Sequence, residues 1–109
     1  METVRLPNVT TMPDSFTIVA PRQLNIATRG EFRRSVLELI ERAVLGRANW
    51  VAVDLRSTTE IDASGLGMLI LLQKRAREQE LTTRLLNAGP HVLRLLTLTK
   101  LDYLFELPT

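Results

Sequence analysis

Apolar residues recur along this chain in two periods, and the period switches several times. Val4, Leu6 and Val9 alternate with polar residues across Thr3 to Met12, Pro13-Asp14-Ser15 supplies a turn, and Phe16 to Ala20 reads as a second strand. The pair predicts an edge hairpin, where Pro7 is tolerated better than in a central ladder. The spacing then lengthens: Phe32, Val36, Leu37, Leu39, Ile40, Ala43 and Val44 fall at helical intervals, while Arg33, Arg34, Glu38, Glu41 and Arg42 fill the opposite face. Thr28-Arg29-Gly30-Glu31 has capping-box spacing in front of this helix, and Gly46 is placed to stop it. Trp50 to Leu55 is a short apolar run with β-branched valines, bounded by a glycine-bearing turn and the polar stretch Arg56 to Glu60, and so predicts a central strand. Leu66, Leu69, Ile70, Gln73, Ala76 and Arg77 restore the helical period through Gln79. Thr82 to Asn87 returns to strand, Ala88-Gly89-Pro90 turns, His91 to about Thr97 forms a short helix, and a brief strand or helical turn surrounds Tyr103 to Leu107. The order ββαβαβα predicts an α/β fold with helices against a sheet and right-handed crossovers.

Length changes this picture only by setting its scale. The 109 residues form one domain, with a core from about residue 3 to 107, and no repeat or linker divides them. Composition removes more. With no cysteine and one histidine, thiolate zinc sites, disulfides and cysteine nucleophiles lack their atoms, and any histidine triad would run through His91 alone. Fourteen basic and twelve acidic residues are interspersed and give a net charge of +2, which is no footprint for nucleic acid. The longest apolar stretch, Leu66 to Leu72, is far short of the roughly 20 residues that span a bilayer. The first ten residues carry acid and proline where a secretion signal has a basic segment and an apolar block, so a cytoplasmic location without membrane insertion is expected. Trp50, Tyr103 and Phe105 read as core or core-margin groups.

Candidate chemistry concentrates in Ile61-Asp62-Ala63-Ser64-Gly65-Leu66-Gly67, where a polar loop enters an apolar helix. Asp62 or Ser64 can cap that helix, and Gly65 and Gly67 keep side chains away from an approaching surface. An ordinary cap with close packing is one reading. The functional one is an exposed Ser64 hydroxyl whose phosphorylation adds about −1.5 to −2 charge at neutral pH. A phosphate at a helix start meets a favourable dipole but also the neighbouring Asp62, so it would disturb an apposed partner more than this domain. Ser64 is not in a nucleophile elbow, and the glycines lack the lysine of a phosphate-binding loop.

The segment IDASGLGMLILLQKRA resembles the signature of the STAS domain family, especially the bacterial anti-sigma factor antagonists. Val51 to Leu55 is similar to the strand before that signature, and Val92 to Leu107 to the family's last helix and closing segment, so the resemblance covers nearly the whole chain. It implies a mixed sheet of four to five strands flanked by helices. It also implies a protein that binds an anti-sigma factor with serine kinase activity and so releases a sigma factor. Ser64 corresponds to the phospho-acceptor and Asp62 to its neighbour; ATP and magnesium would be bound by the kinase, and a phosphatase would restore binding. No cofactor or metal is expected on this chain.

The sequence departs from the family pattern at three places. Arg22-Gln23-Leu24-Asn25 stands where Gly-Glu-Leu-Asp is common, so Asn25 keeps a hydrogen-bonding side chain but loses the carboxylate. Ala63 replaces a small hydroxyl residue, and Lys100 stands where glycine is frequent. The expected partner surface comprises Asp62, Ala63, Ser64, Gly65, Leu66, Gly67 and Met68, rimmed by Arg22, Gln23, Leu24, Asn25, Thr58 and Thr59, with one of Leu66 and Met68 in the core. The alternative function is a STAS scaffold subunit of a lipid-transport complex or a stress-signalling assembly, working without phosphorylation. Catalysis is not expected, because no base, nucleophile and electrophilic stabiliser form a coherent set.

Overall fold

A computed structural model describes residues 9–12 and 15–108. The hairpin consists of β1 (Val9–Met12) and β2 (Ser15–Val19), paired antiparallel. The proposed alternation at Val4 and Leu6 and the turn residues Pro13 and Asp14 lie outside the described residues. Then follow β3 (Gln23–Leu24), α1 (Arg29–Leu45), β4 (Trp50–Asp54), β5 (Glu60–Ile61), α2 (Ala63–Glu78), β6 (Thr82–Leu86) and α3 (Pro90–Leu98), with a 3-10 turn at Asp102–Leu104.

The main sheet runs β1-β2-β4-β6, and β4 is parallel to both neighbours. Its register places Phe16, Val51 and Thr83 in one row and Ile18, Val53 and Leu85 in the next. Since side chains alternate along a strand, these rows share the face on which α1 and α2 pack. Val36, Leu39 and Phe32 of α1 and Leu69, Leu72 and Ala76 of α2 complete the core there. Burying both faces of β4 explains its unbroken apolar run. On the opposite face Ala52 is covered as well, and Arg84, its partner in register, lays its guanidinium 3.9 Å from the centroid of the Trp50 ring. Arg84 also pairs with Glu106 at 2.7 Å, and Glu106 extends the sheet edge through Glu106 N–H to Thr83 C=O and Leu85 N–H to Glu106 C=O. The closing segment is thus both a helical turn and a bridge.

Two short strands depart from the sequence reading. Gln23 and Leu24 pair in parallel with Glu60 and Ile61, in segments expected to be loops. Two-residue strands carry too few side chains to show a period of two. The role of Gly46 also differs: its φ is −84°, and the left-handed residue that ends α1 is Arg47, at φ 56°. Glycine stands at 46 because the Phe16 ring lies close; a Cβ there would be 2.8 Å from Phe16 Cζ.

The parallel connections put the starts of α1 and α2 beyond the carboxyl ends of β2 and β4, the end of an α/β sheet where sites form. The β3-β5 pair links those two helix entrances.

Candidate functional site

The start of α2 is set by Asp62. Its backbone is extended, its C=O accepts from Leu66 N–H at 2.9 Å, and its Oδ1 accepts from Gly65 N–H at 2.9 Å. Of the two candidate caps, Asp62 carries the role, and Ser64 stands in the first turn with its hydroxyl outside the capping bond. Ser64 is half-buried between exposed Asp62 and Ala63 on one side and buried Gly65 on the other.

Gly65 is where the two helix entrances meet. Leu24 C=O lies over it so closely that an added Cβ would be 2.1 Å from that oxygen. The same carbonyl accepts from Asp62 N–H at 3.2 Å, and Asp62 Oδ2 accepts from Ile26 N–H at 3.3 Å. Asp62 therefore holds both its own helix and the chain entering α1. The second glycine differs: a Cβ at Gly67 would meet nothing within 4 Å.

The entrance to α1 corrects the expected capping box. Thr28 is already helical in backbone, and its hydroxyl bonds backward instead of forward, donating to Gln23 C=O at 2.7 Å. The reciprocal box exists three residues earlier. Asn25 Oδ1 accepts from Ala27 and Thr28 N–H at 3.0 and 3.2 Å, while Thr28 Oγ1 accepts from Asn25 N–H at 3.0 Å. An aspartate or an asparagine satisfies this geometry equally, because only an acceptor oxygen is used. The departure at Asn25 thus leaves the local structure intact.

Several expected rim residues hold the surface instead of forming it. Leu24 is fully buried, and Thr58 is buried with its hydroxyl donating to Pro21 C=O at 2.8 Å, so neither side chain is available to a partner. Arg22, Gln23 and Thr59 are exposed, and Arg22 C=O accepts from Thr59 N–H at 2.9 Å. Leu66 and Met68 are both half-buried against the core, where only one was expected there. Sequence reasoning missed Ile26, an apolar side chain left 65% exposed at the tip of this turn beside Asp62. An isoleucine between two capping residues was the available signal.

It also missed Asp54, read only as part of its strand. Asp54 is buried at the carboxyl end of β4, where its carboxylate accepts from Arg56 N–H and Nε and from Asn87 Nδ2. Burial pushes its pKa up, but the Arg56 and Asn87 hydrogen bonds outweigh it and hold the carboxyl below the ordinary range. This cluster anchors the loop leading to β5. His91 is exposed, and among the described residues no group of three His, Asp or Glu side chains is placed to hold a metal. No helix among them is long and apolar enough to cross a membrane.

This arrangement of sheet, helices and capped helix entrance recurs in known proteins. The structure superposes on a Thermotoga maritima protein described as an anti-sigma factor antagonist with a TM-score of 0.79, at 20% identity over 91% of this chain and 82% of that one. It superposes on the phosphorylated form of the Bacillus cell fate determinant SpoIIAA with a TM-score of 0.67, at 16% identity over 93% and 89% of the two chains. The fold is therefore of the STAS, SpoIIAA-like class. Residues 18–107 match the family model described as "Mlab, STAS domain", and the chain belongs to the STAS domain family. A curated relative, the STAS-domain containing protein PA14_20770 of Pseudomonas aeruginosa, is 31% identical over 90 residues, covering 79% of this chain and 88% of the relative.

Proposed function

We propose that this chain is an anti-sigma factor antagonist: a non-catalytic cytoplasmic binding module that docks the α2 entrance onto an anti-sigma factor kinase and releases a sigma factor. Ser64 is the phospho-acceptor, the kinase supplies ATP and magnesium, and a phosphatase reverses the modification. The observation that carries this reading is the placement of Ser64. It sits in the first turn of α2 on a rigid entrance, with Asp62 doing the capping, so its hydroxyl is left for chemistry. A phosphate there lies beside the Asp62 carboxylate on the surface a partner would cover, and added charge in an interface disrupts by repulsion and desolvation. The structural likeness to SpoIIAA, known in a phosphorylated form, supports the same assignment. Incubation with a purified anti-sigma kinase and labelled ATP tests it: one phosphate per chain is expected, abolished by Ser64→Ala, and label persisting in that variant contradicts it.

Membership of the STAS domain family equally supports a second reading, a scaffold subunit of a lipid-transport complex or a stress-signalling assembly. In that setting the same entrance engages a transport subunit without modification. Native co-purification that returns transporter ATPase subunits with Ser64 unmodified would select this reading over the first.

A further inference from the structure

We propose that the solvent face of α1 is a contact between two copies of this chain, which pair through that helix as an antiparallel, twofold-symmetric dimer. The core face of α1 is set by Phe32, Val36, Leu39, Ile40 and Ala43. At about 100° per residue, Gly30, Arg34, Glu41 and Leu45 fall within about 30° of the line directly opposite that face. Leu37 and Glu38 flank the line at its middle.

Two observations mark this face as unfinished. Its apolar members are exposed: Leu45 is 81% and Val44 42% accessible, and with half-buried Leu37 and with Gln79 they wall an open groove of about 390 Å³. Its charges are unused as well. Arg33, Arg34, Glu38, Glu41 and Arg42 crowd α1, yet the ion pairs among the described residues join Arg56 to Asp54, Arg75 to Glu78 and Arg84 to Glu106, with none on this helix.

A second copy completes both. The stripe is its own complement when reversed about the point between Leu37 and Glu38: Arg34 and Glu41 stand about 5 Å from that point along the axis, and Gly30 and Leu45 about 11 Å from it. A twofold axis there sets Arg34 of each copy against Glu41 of the other, and Leu37 against its own symmetry mate. Leu45 of each copy arrives at the other's Gly30, where no side chain stands and a Cβ would meet nothing within 4 Å. The charges select the antiparallel pair, since parallel copies would bring Arg34 to Arg34 and Glu41 to Glu41. A single helix pair makes a small interface, below about 1,200 Å² in total, so the dimer is a weak one with a dissociation constant on the order of 100 µM.

Sedimentation equilibrium of the full chain from about 10 µM to about 1 mM tests the pairing. The parent chain should pass from monomer to dimer across that range, and less completely in high salt. Arg34→Glu and Glu41→Arg each set like charges against one another, and each should weaken the dimer at least about tenfold. Both positions are exposed, so the unfolding midpoints should stay at the parent value. The deciding sample is an equal mixture of the two variants. Each chain then supplies the charge the other lacks, and a heterodimer should form with about the parent's affinity. A parent chain that stays monomeric at about 1 mM overturns the proposal, as does a dimer indifferent to either reversal, or a mixture that associates no better than its components.

Discussion

Replacing Gly65 by alanine should damage this protein, while the same replacement two residues later should help it. A methyl at Gly65 would lie 2.1 Å from Leu24 C=O and 3.0 Å from Ile61 Cγ2. The carbonyl belongs to backbone paired in β3-β5 and would have to retreat by about 1 Å to reach ordinary contact. That movement weakens the Asp62 N–H bond to Leu24 C=O and the Ile26 N–H bond to Asp62, each contributing about 1 kcal/mol. Partial uncovering of the fully buried Leu24 side chain costs about 1 kcal/mol more. Alanine's helix preference over glycine returns about 1 kcal/mol, leaving a net loss of about 2 kcal/mol. For a domain of this size that is a fall in Tm on the order of 10 °C. Gly67→Ala meets nothing within 4 Å and should gain about 0.5–1 kcal/mol from the same preference. Urea unfolding midpoints of the two variants, measured together, read the difference. If both shift in the same direction, or Gly65→Ala is neutral, the close seating of Leu24 on α2 is wrong.

Asn25→Ala removes the acceptor of the α1 box and should cost about 1 kcal/mol, while Asn25→Asp should unfold at or above the parent midpoint. Lys100 ends α3 at φ 59°, so Lys100→Gly should raise stability by up to about 1 kcal/mol in thermal unfolding. Asp54 has a pKa lowered in the folded state, so its contribution is fully present above the unfolded carboxylate pKa and is lost as pH falls through the lowered folded value. Asp54→Asn should therefore flatten the decline in urea midpoint below about pH 4, and a decline of unchanged steepness would exclude Asp54 as its source.

The long elements were legible because each has enough side chains to declare a period. The α1 stripe from Phe32 to Ala43 and the run Trp50 to Asp54 both appear where the pattern places them. The helix entrance was legible too, since Asp62 precedes a small-residue turn and an apolar helix. What stayed hidden depends on contacts between distant segments. The β3-β5 pairing joins positions 37 apart, Leu24 and Thr58 are buried where those two segments meet, and the reason for Gly65 is a carbonyl from another segment. The box at Thr28 had the right spacing and the wrong register, because Asn25 offers an acceptor one turn earlier and the chain is already helical at 28. Lys100 shows the converse: its departure from glycine marks a left-handed position visible only in the backbone angles.

The affinity of an anti-sigma factor kinase for the unmodified chain and for the same chain carrying phosphoserine at 64 tests the central claim most directly. By calorimetric titration, the unmodified chain should bind and the phosphorylated one should lose at least about a hundredfold in affinity, corresponding to about 2.7 kcal/mol. Both forms should keep the same fold and nearly the same unfolding midpoint. Equal affinities for the two forms would contradict the proposed switch at Ser64.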